Sequence, residues 1–262
     1  MDLQLAGKKV LVTGSTAGIG FATAREFAAE GASVVINGRT QERVDRAITE
    51  IRKSRPKAGL SGIASDVSNA AGCAKLVQAV AQADVLINNM GIFEPKPFEQ
   101  IPDADWLRLF EANVMSGVRL SRHYLSGMRQ KNWGRIIFVS SESAVQIPAE
   151  MIHYGMTKTA QVAVARGIAE SVAGTGITVN SVLAGPTRSE GVETFIAQMG
   201  GGGDSAAFEQ EFFKSIRPTS LLKRFETTDE VAHMIVYLSS PLASATSGAA
   251  VRADGGVVRA IL

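Results

Sequence analysis

Short runs of β-branched and aliphatic residues alternate along the chain with longer stretches whose apolar positions recur at helical spacing. The short runs, residues 10–13, 33–37, 60–65, 84–88, 135–140, 177–182 and 249–252, predict strands. The stretches between them, residues 19–30, 41–54, 69–82, 103–131, 151–173 and 228–239, predict helices. Regular strand–helix alternation implies an α/β fold, a doubly wound parallel sheet of about seven strands with helices on both faces. In such sheets ligands bind beyond the carboxyl ends of the strands. The glycine-rich loop 13–20, Asn88, Ser141 and the segment after Val182 all fall at predicted strand ends, so one cleft can collect them.

The alternation breaks between Ser189 and Ser220, where helical pieces at 193–199 and 206–216 flank Gly200-Gly201-Gly202-Gly203-Asp204. Four consecutive glycines cost backbone order. The segment 189–220 is therefore either a lid over a substrate or a plain surface insertion.

Composition narrows the class. No Pro/Ser-rich or charged linker divides the 262 residues, and 45% of them are hydrophobic, enough for one large core, so residues 1–262 are expected to form a single domain. The lone cysteine, Cys73, excludes an internal disulfide, suits a reducing compartment and is expected as a small buried helix residue. Residues 1–9 carry no basic leader before a long apolar region, and no stretch approaches the roughly 20 apolar residues of a membrane-spanning helix. A soluble, cytoplasmic protein without a membrane partner is expected. A net charge of +2 from 27 basic and 25 acidic residues gives no footprint for nucleic acid. His123, His153 and His233 are scattered without a ligand pattern, so no metal is expected.

Two features carry chemistry. Thr13-Gly14-Ser15-Thr16-Ala17-Gly18-Ile19-Gly20 sits between a predicted strand and a predicted helix, the context a dinucleotide fingerprint requires. Tyr154 and Lys158 stand four residues apart on a predicted helix, hence on one face. An ammonium beside a phenol favours the phenolate, and a cationic nicotinamide would add to that.

With Asp66-Val67, Asn88-Asn89-Met90-Gly91, Asn113-Val114, Ser141 thirteen residues before Tyr154, Asn180 and Asp254-Gly255-Gly256, these segments make the chain resemble the short-chain dehydrogenase/reductases of the short, single-domain branch. The likeness covers nearly the whole length and implies a Rossmann-type fold. It also implies a hydride transfer between a nicotinamide and a carbonyl or secondary alcohol, with Tyr154 as general acid or base. Ser141 would hydrogen-bond the carbonyl oxygen. Lys158 would lower the Tyr154 pKa and hold the nicotinamide ribose. Asn113 matches the residue that holds a relay water, though without the resemblance it reads as an ordinary mid-helix polar residue. Ser140 and Ser143 compete with Ser141, and the family's spacing favours Ser141.

For the cofactor, Gly14, Gly18 and Gly20 allow backbone to approach a pyrophosphate at a helix N-terminus. Ser15 and Thr16 can add hydroxyl donors, and Ile19 belongs to the same loop. Asp66 and Val67 resemble the pair at the adenine, and Asn89 and Gly91 the stretch along the ribose, with Met90 replacing the usual alanine. Gly38 stands where NAD-preferring members carry an acid, and Arg39 follows it. That favours NADP(H) over NAD(H), although Arg39 could equally be a solvated helix-start residue. After Asn180 the chain departs from the family at Ala184-Gly185-Pro186, where Thr187 or Ser189 would contact the carboxamide.

Phe93, Val145, Ile147, Met151, Ile152, Phe195, Met199 and Phe212 are candidates for an apolar substrate wall. Glu94, Lys96, Glu142, Gln146, Glu150 and Arg188 keep a polar substrate open. Asn132-Trp133 and Thr175 stand where carrier-protein reductases often carry arginine, which disfavours a carrier-bound substrate. A competing reading is a catalytically silent NADPH-binding regulator or scaffold. The resemblance also implies a homo-oligomer, a tetramer or dimer, built on helices 103–131 and 151–173 and on the C-terminal residues.

Overall fold

Seven strands lie in the order β3-β2-β1-β4-β5-β6-β9, all parallel, in the computed structural model, which describes residues 1–189 and 205–261. They are β1 (Lys9–Val12), β2 (Ser33–Gly38), β3 (Leu60–Ala64), β4 (Val85–Asn88), β5 (Gly134–Ser141) and β6 (Ile177–Ala184). A separate two-stranded sheet pairs β7 (Thr187–Arg188) with β8 (Glu226–Thr227), and β9 (Ala250–Ala253) completes the main sheet. The expected strands are all present, with ends shifted by one or two residues.

Side chains alternate across a strand, and β1 divides the core accordingly. Val10 and Val12 face a layer with Phe27, Ile36, Val44, Ile51, Val231 and Ile235; Leu11 faces another with Leu76, Leu86, Leu120, Tyr124 and Phe138. The first layer is covered by α1 (Gly18–Ala29), α2 (Gln41–Ser54) and the helix Thr228–Leu238. The second is covered by α3 (Ala70–Ala79), α5 (Ser116–Lys131) and α6 (Ile152–Ser171). Both faces of the sheet are covered, so β4, β5 and β6 are buried at every position rather than at alternate ones. Local signals start the helices: Thr40 accepts from Arg43 N at 3.4 Å, Asn69 accepts from Gly72 N at 2.9 Å, and Thr227 with Glu230 forms a capping box. Cys73 is buried, as expected.

The single helix expected at 103–131 is not continuous. α4 (Asp103–Phe110) and α5 are separated by one wide π-turn, Glu111–Met115, which carries Asn113. The reason lies in Asn113, whose amide group bonds both polar atoms of the Ile92 backbone and Thr157 Oγ1. A second π-turn, Phe212–Ile216, follows the helix Ser205–Glu211. The helical piece expected at 193–199 and the four glycines lie outside the described residues. The β7–β8 sheet escaped the sequence reading because strands of two residues have no period. Among the described residues, no helix is long and apolar enough to cross a membrane.

Phe212, Phe213 and Phe225 form a small core of their own that fixes the segment after Ser205 to β8. Phe213, only 2% exposed, is the packed centre. Phe213→Ala should lower the unfolding free energy by about 3 to 5 kcal/mol in urea denaturation; a loss below 1 kcal/mol would mean that this cluster bears little of the fold.

Candidate active site

At the carboxyl end of the sheet β1 turns into α1 beside β4, and the strand order reverses between these two neighbours. Gly14 and Gly18 sit at φ +62° and +58°, where a side chain would be strained. Gly20 is held for another reason: a Cβ there would lie 2.4 Å from Asn89 Nδ2 and 2.5 Å from Gly14 O. The loop therefore offers backbone, not side chain, to a cleft of about 1600 Å³ lined by Gly14, Thr16, Gly18, Arg39, Asp66, Val67 and Gly91. Absence of Cβ atoms, a helix N-terminus at Ala17–Gly18 and three arginines at the far end, Arg39, Arg43 and Arg46, fit a dinucleotide. Position 38 carries no carboxylate, and a Cβ there would crowd the Thr16 side chain unless it turned aside.

Ser15, Ile19 and Gly20 of the loop are not on the lining of this cleft. Ser15 is fully buried; its hydroxyl donates to Val12 O at 2.7 Å and accepts from Asn37 N at 2.9 Å. The expected hydroxyl donor is spent beneath the loop, where Asn37 ties the ends of β2 and β3 together by donating to Ile63 O and Ser65 O.

A second cavity, of about 660 Å³, shares Gly91, Phe93, Pro95 and Ser189 with the first. It collects Ile19, Asn89, Ser141, Tyr154, Lys158 and Thr187 from five separate segments. β5 ends on Ser141, which accepts from Ser143 N at 3.1 Å and hydrogen-bonds Tyr154. Ser140 is turned away, donating to Lys158 O at 2.9 Å, so geometry and spacing agree on Ser141. Of the expected apolar wall, Phe93, Met151 and Phe212 line the cavity; Val145 and Ile147 are exposed on the outside, and Ile152 is not on the lining. Phe195 and Met199 lie outside the described residues.

The electrostatics differ from expectation. Burial pushes the Tyr154 phenol above its ordinary value, and the Ser141 hydrogen bond only partly opposes it. The Lys158 ammonium stands 5.5 Å from the Tyr154 ring centre and is drawn to Val139 O at 2.9 Å and Gln161 Oε1 at 3.2 Å. Burial lowers Lys158 itself to about 8. The charge that would favour a phenolate is thus weakened by the same burial.

Three residues of the site were not singled out from the sequence or were left without a role. Gln161 bridges Lys158 to the Asn113 carbonyl by donating Nε2 to it at 2.6 Å; three residues beyond Lys158 on one helix face was the available signal. Arg217 lines the cavity and its Nε donates to Glu142 at 2.8 Å, a pairing across 75 residues that no local pattern announces. Glu226 lies under Gly185 and Thr187, with Thr187 Oγ1 3.4 Å from its Oε2.

Residues 14–258 match a family model described as enoyl-(acyl carrier protein) reductase. An uncharacterised oxidoreductase of Bacillus subtilis, YvaG, is 48% identical over 263 residues, covering 100% of both chains. D-beta-hydroxybutyrate dehydrogenase of Cupriavidus necator is 32% identical over 97% of this chain and 99% of its own. The crystal structure of L-sorbose reductase from Gluconobacter frateurii, complexed with NADPH and L-sorbose, superposes with a TM-score of 0.94 at 30% identity, covering 100% of each chain. The chain belongs to the short-chain dehydrogenase/reductase family.

Within that family its departures have structural counterparts. Met90 packs against the second core layer, so the replacement of alanine alters packing beside the cleft. At Ala184-Gly185-Pro186 the backbone stays in register: Gly185 N donates to Ala253 O, and Pro186 O accepts from Glu226 N. A Cβ at Gly185 would meet Glu226 Oε1 at 2.5 Å. Burial, with Asp254 nearby, raises the Glu226 carboxyl to about 8.

The folded short-chain dehydrogenase/reductase therefore keeps a proton on Glu226 that the unfolded chain gives up near the ordinary value of 4.5. Stability from this group is full below that value and is lost as pH rises toward about 8. Glu226→Gln should remove that decline. The check is the thermal midpoint of both proteins from mildly acidic to mildly basic pH, and parallel profiles would contradict the assignment.

Proposed function

We propose that the protein is an NADP(H)-dependent oxidoreductase that interconverts a carbonyl compound and its secondary alcohol, acting through one domain over residues 1–262. The observation that carries this reading is the cavity shared by Ser141, Tyr154 and Lys158, which adjoins the glycine-loop cleft at Gly91 and Phe93. When bound, the nicotinamide supplies the hydride that reduces the carbonyl carbon. Tyr154 donates its phenolic proton to the oxygen as charge develops there, and takes it back in the reverse direction. Ser141 donates a hydrogen bond to the same oxygen, a fixed dipole placed before the reaction begins. Lys158, held by Val139 O and Gln161, stands on the Gly91 side of Tyr154, where it binds the ribose and adds positive charge. Asn113 positions the Ile92 backbone and, through Gln161, Lys158.

NADP(H) is favoured over NAD(H) by two features of the cleft. Position 38 is glycine and presents no acid that would repel a 2′-phosphate, and Arg39 lines the cleft beside it. A small-molecule ketone or alcohol suits the size of the second cavity. The same reading carries a homo-oligomer, dimer or tetramer.

Two measurements test it. NADPH oxidation with a panel of ketones should fall about a hundredfold or more in Tyr154→Phe, while NADPH binding persists. Arg39→Ala should reduce the NADPH-over-NADH preference in kcat/KM by about tenfold. Binding of NADPH with no turnover of any carbonyl would instead favour the silent regulator.

A further inference from the structure

Lys158 is 5% exposed, and its ammonium is met by two uncharged acceptors, Val139 O at 2.9 Å and Gln161 Oε1 at 3.2 Å. A Cβ on Gly91 would lie 3.4 Å from Nζ, so the ammonium stands against Gly91, where the catalytic cavity adjoins the nucleotide cleft. Gln161, nearly a turn further along α6 and 1% exposed, uses its other end on the Asn113 carbonyl, to which Nε2 donates at 2.6 Å. An ammonium only donates and a carbonyl only accepts, so these two neighbours fix which way the amide points.

Asn113 makes this hold rigid. Its Oδ1 accepts from Ile92 N at 2.7 Å, while its Nδ2 donates to Ile92 O at 2.9 Å and to Thr157 Oγ1 at 3.0 Å. One residue of the π-turn therefore holds both the chain next to Gly91 and, through its own carbonyl, Gln161. An apolar side chain at position 161 would deprive a buried carbonyl and a buried ammonium of a partner each.

We propose that Gln161 is the positioning residue of Lys158: its oxygen fixes the ammonium against Gly91, toward the nucleotide cleft, and its nitrogen anchors that hold to Asn113. This deepens the oxidoreductase reading and rests on it. A pH dependence follows. Burial already brings Lys158 down to about 8, so its charge depends on the acceptors it keeps. Tyr154 faces it from the same helix, Glu142, Glu150 and Arg217 line the same cavity and pair with one another, and Glu111 in the π-turn is paired with Arg119.

The dissociation constant for NADPH, read from nicotinamide fluorescence from mildly acidic to moderately basic pH, tests the inference in the wild type, Gln161→Met and Gln161→Glu. Methionine keeps the length and apolar stem of the side chain without a strong acceptor; glutamate keeps the acceptor and charges it. Binding to the wild type should weaken as pH rises through about 8. Loss of the acceptor favours the neutral amine, so in Gln161→Met the weakening should begin about one pH unit lower. In Gln161→Glu the ammonium gains a counter-charge, and the weakening should begin about one unit higher. Glu226, whose carboxyl also titrates near about 8 beneath Thr187, is present in all three proteins and drops out of the comparison.

A role confined to packing would lower the thermal midpoint of both variants and leave the pH dependence of binding as in the wild type; that result, or shifts of the same sign in both, would overturn the inference. If Gln161→Met does not fold, the upward shift in Gln161→Glu decides alone. Opposite shifts without reduction of any carbonyl would leave the inference standing and sink the oxidoreductase reading. Wild-type protein that does not bind NADPH would sink both.

Discussion

The end of β1 is laced to the end of β4, and the architecture of the site depends on that lacing. Thr13 Oγ1 donates to Ile87 O and accepts from both Asn89 N and Met90 N at 3.0 Å, while Asn89 Nδ2 donates to the carbonyls of Thr13 and Gly14. The two strands diverge in topology, since the chain returns past β2 and β3 before β4 is made, yet their ends are held within hydrogen-bond distance. Gly20 is the geometric consequence, because the lacing occupies the space its Cβ would need. With the loop drawn down in this way, the start of α1 faces the crevice and the backbone of Gly14 to Gly18 forms its floor.

Burial then sets the chemistry. Packing Tyr154 and Lys158 into one enclosed cavity raises the first and lowers the second, so each is moved toward its neutral form. Neutral tyrosine is the form that can donate a proton to a carbonyl oxygen as the hydride arrives. The same enclosure makes the Glu142–Arg217 pair expensive to desolvate, and an apolar pair of similar volume would pack there at lower cost.

Much of the fold was legible because strand and helix periods differ and the chain alternates between them without long irregular segments before Ser189. The strand-end residues were legible for the same reason: a parallel sheet brings all its carboxyl ends to one edge, so Gly14, Asn89, Ser141 and Thr187 could be gathered by counting strands. What escaped depends on where side chains turn. Ser15 reads as a cleft donor until Asn37 is seen to claim it. The Asn113 π-turn arises from a bond to Ile92, which no helical period encodes. Arg217 meets Glu142 only because the segment after Ser205 returns to the turn that follows β5, and Glu226 reaches Gly185 only through a two-residue strand. Each is a tertiary contact between elements whose local sequence is unremarked.

The central claim is that a nicotinamide in the glycine-loop cleft delivers hydride to a carbonyl held between Ser141 and Tyr154. Reduction of a ketone with NADPH deuterated on the transferring face of the nicotinamide tests it most directly. The account predicts one deuterium on the carbinol carbon of the product, with a slowed rate. Consumption of NADPH that leaves the carbinol carbon unlabelled would contradict it.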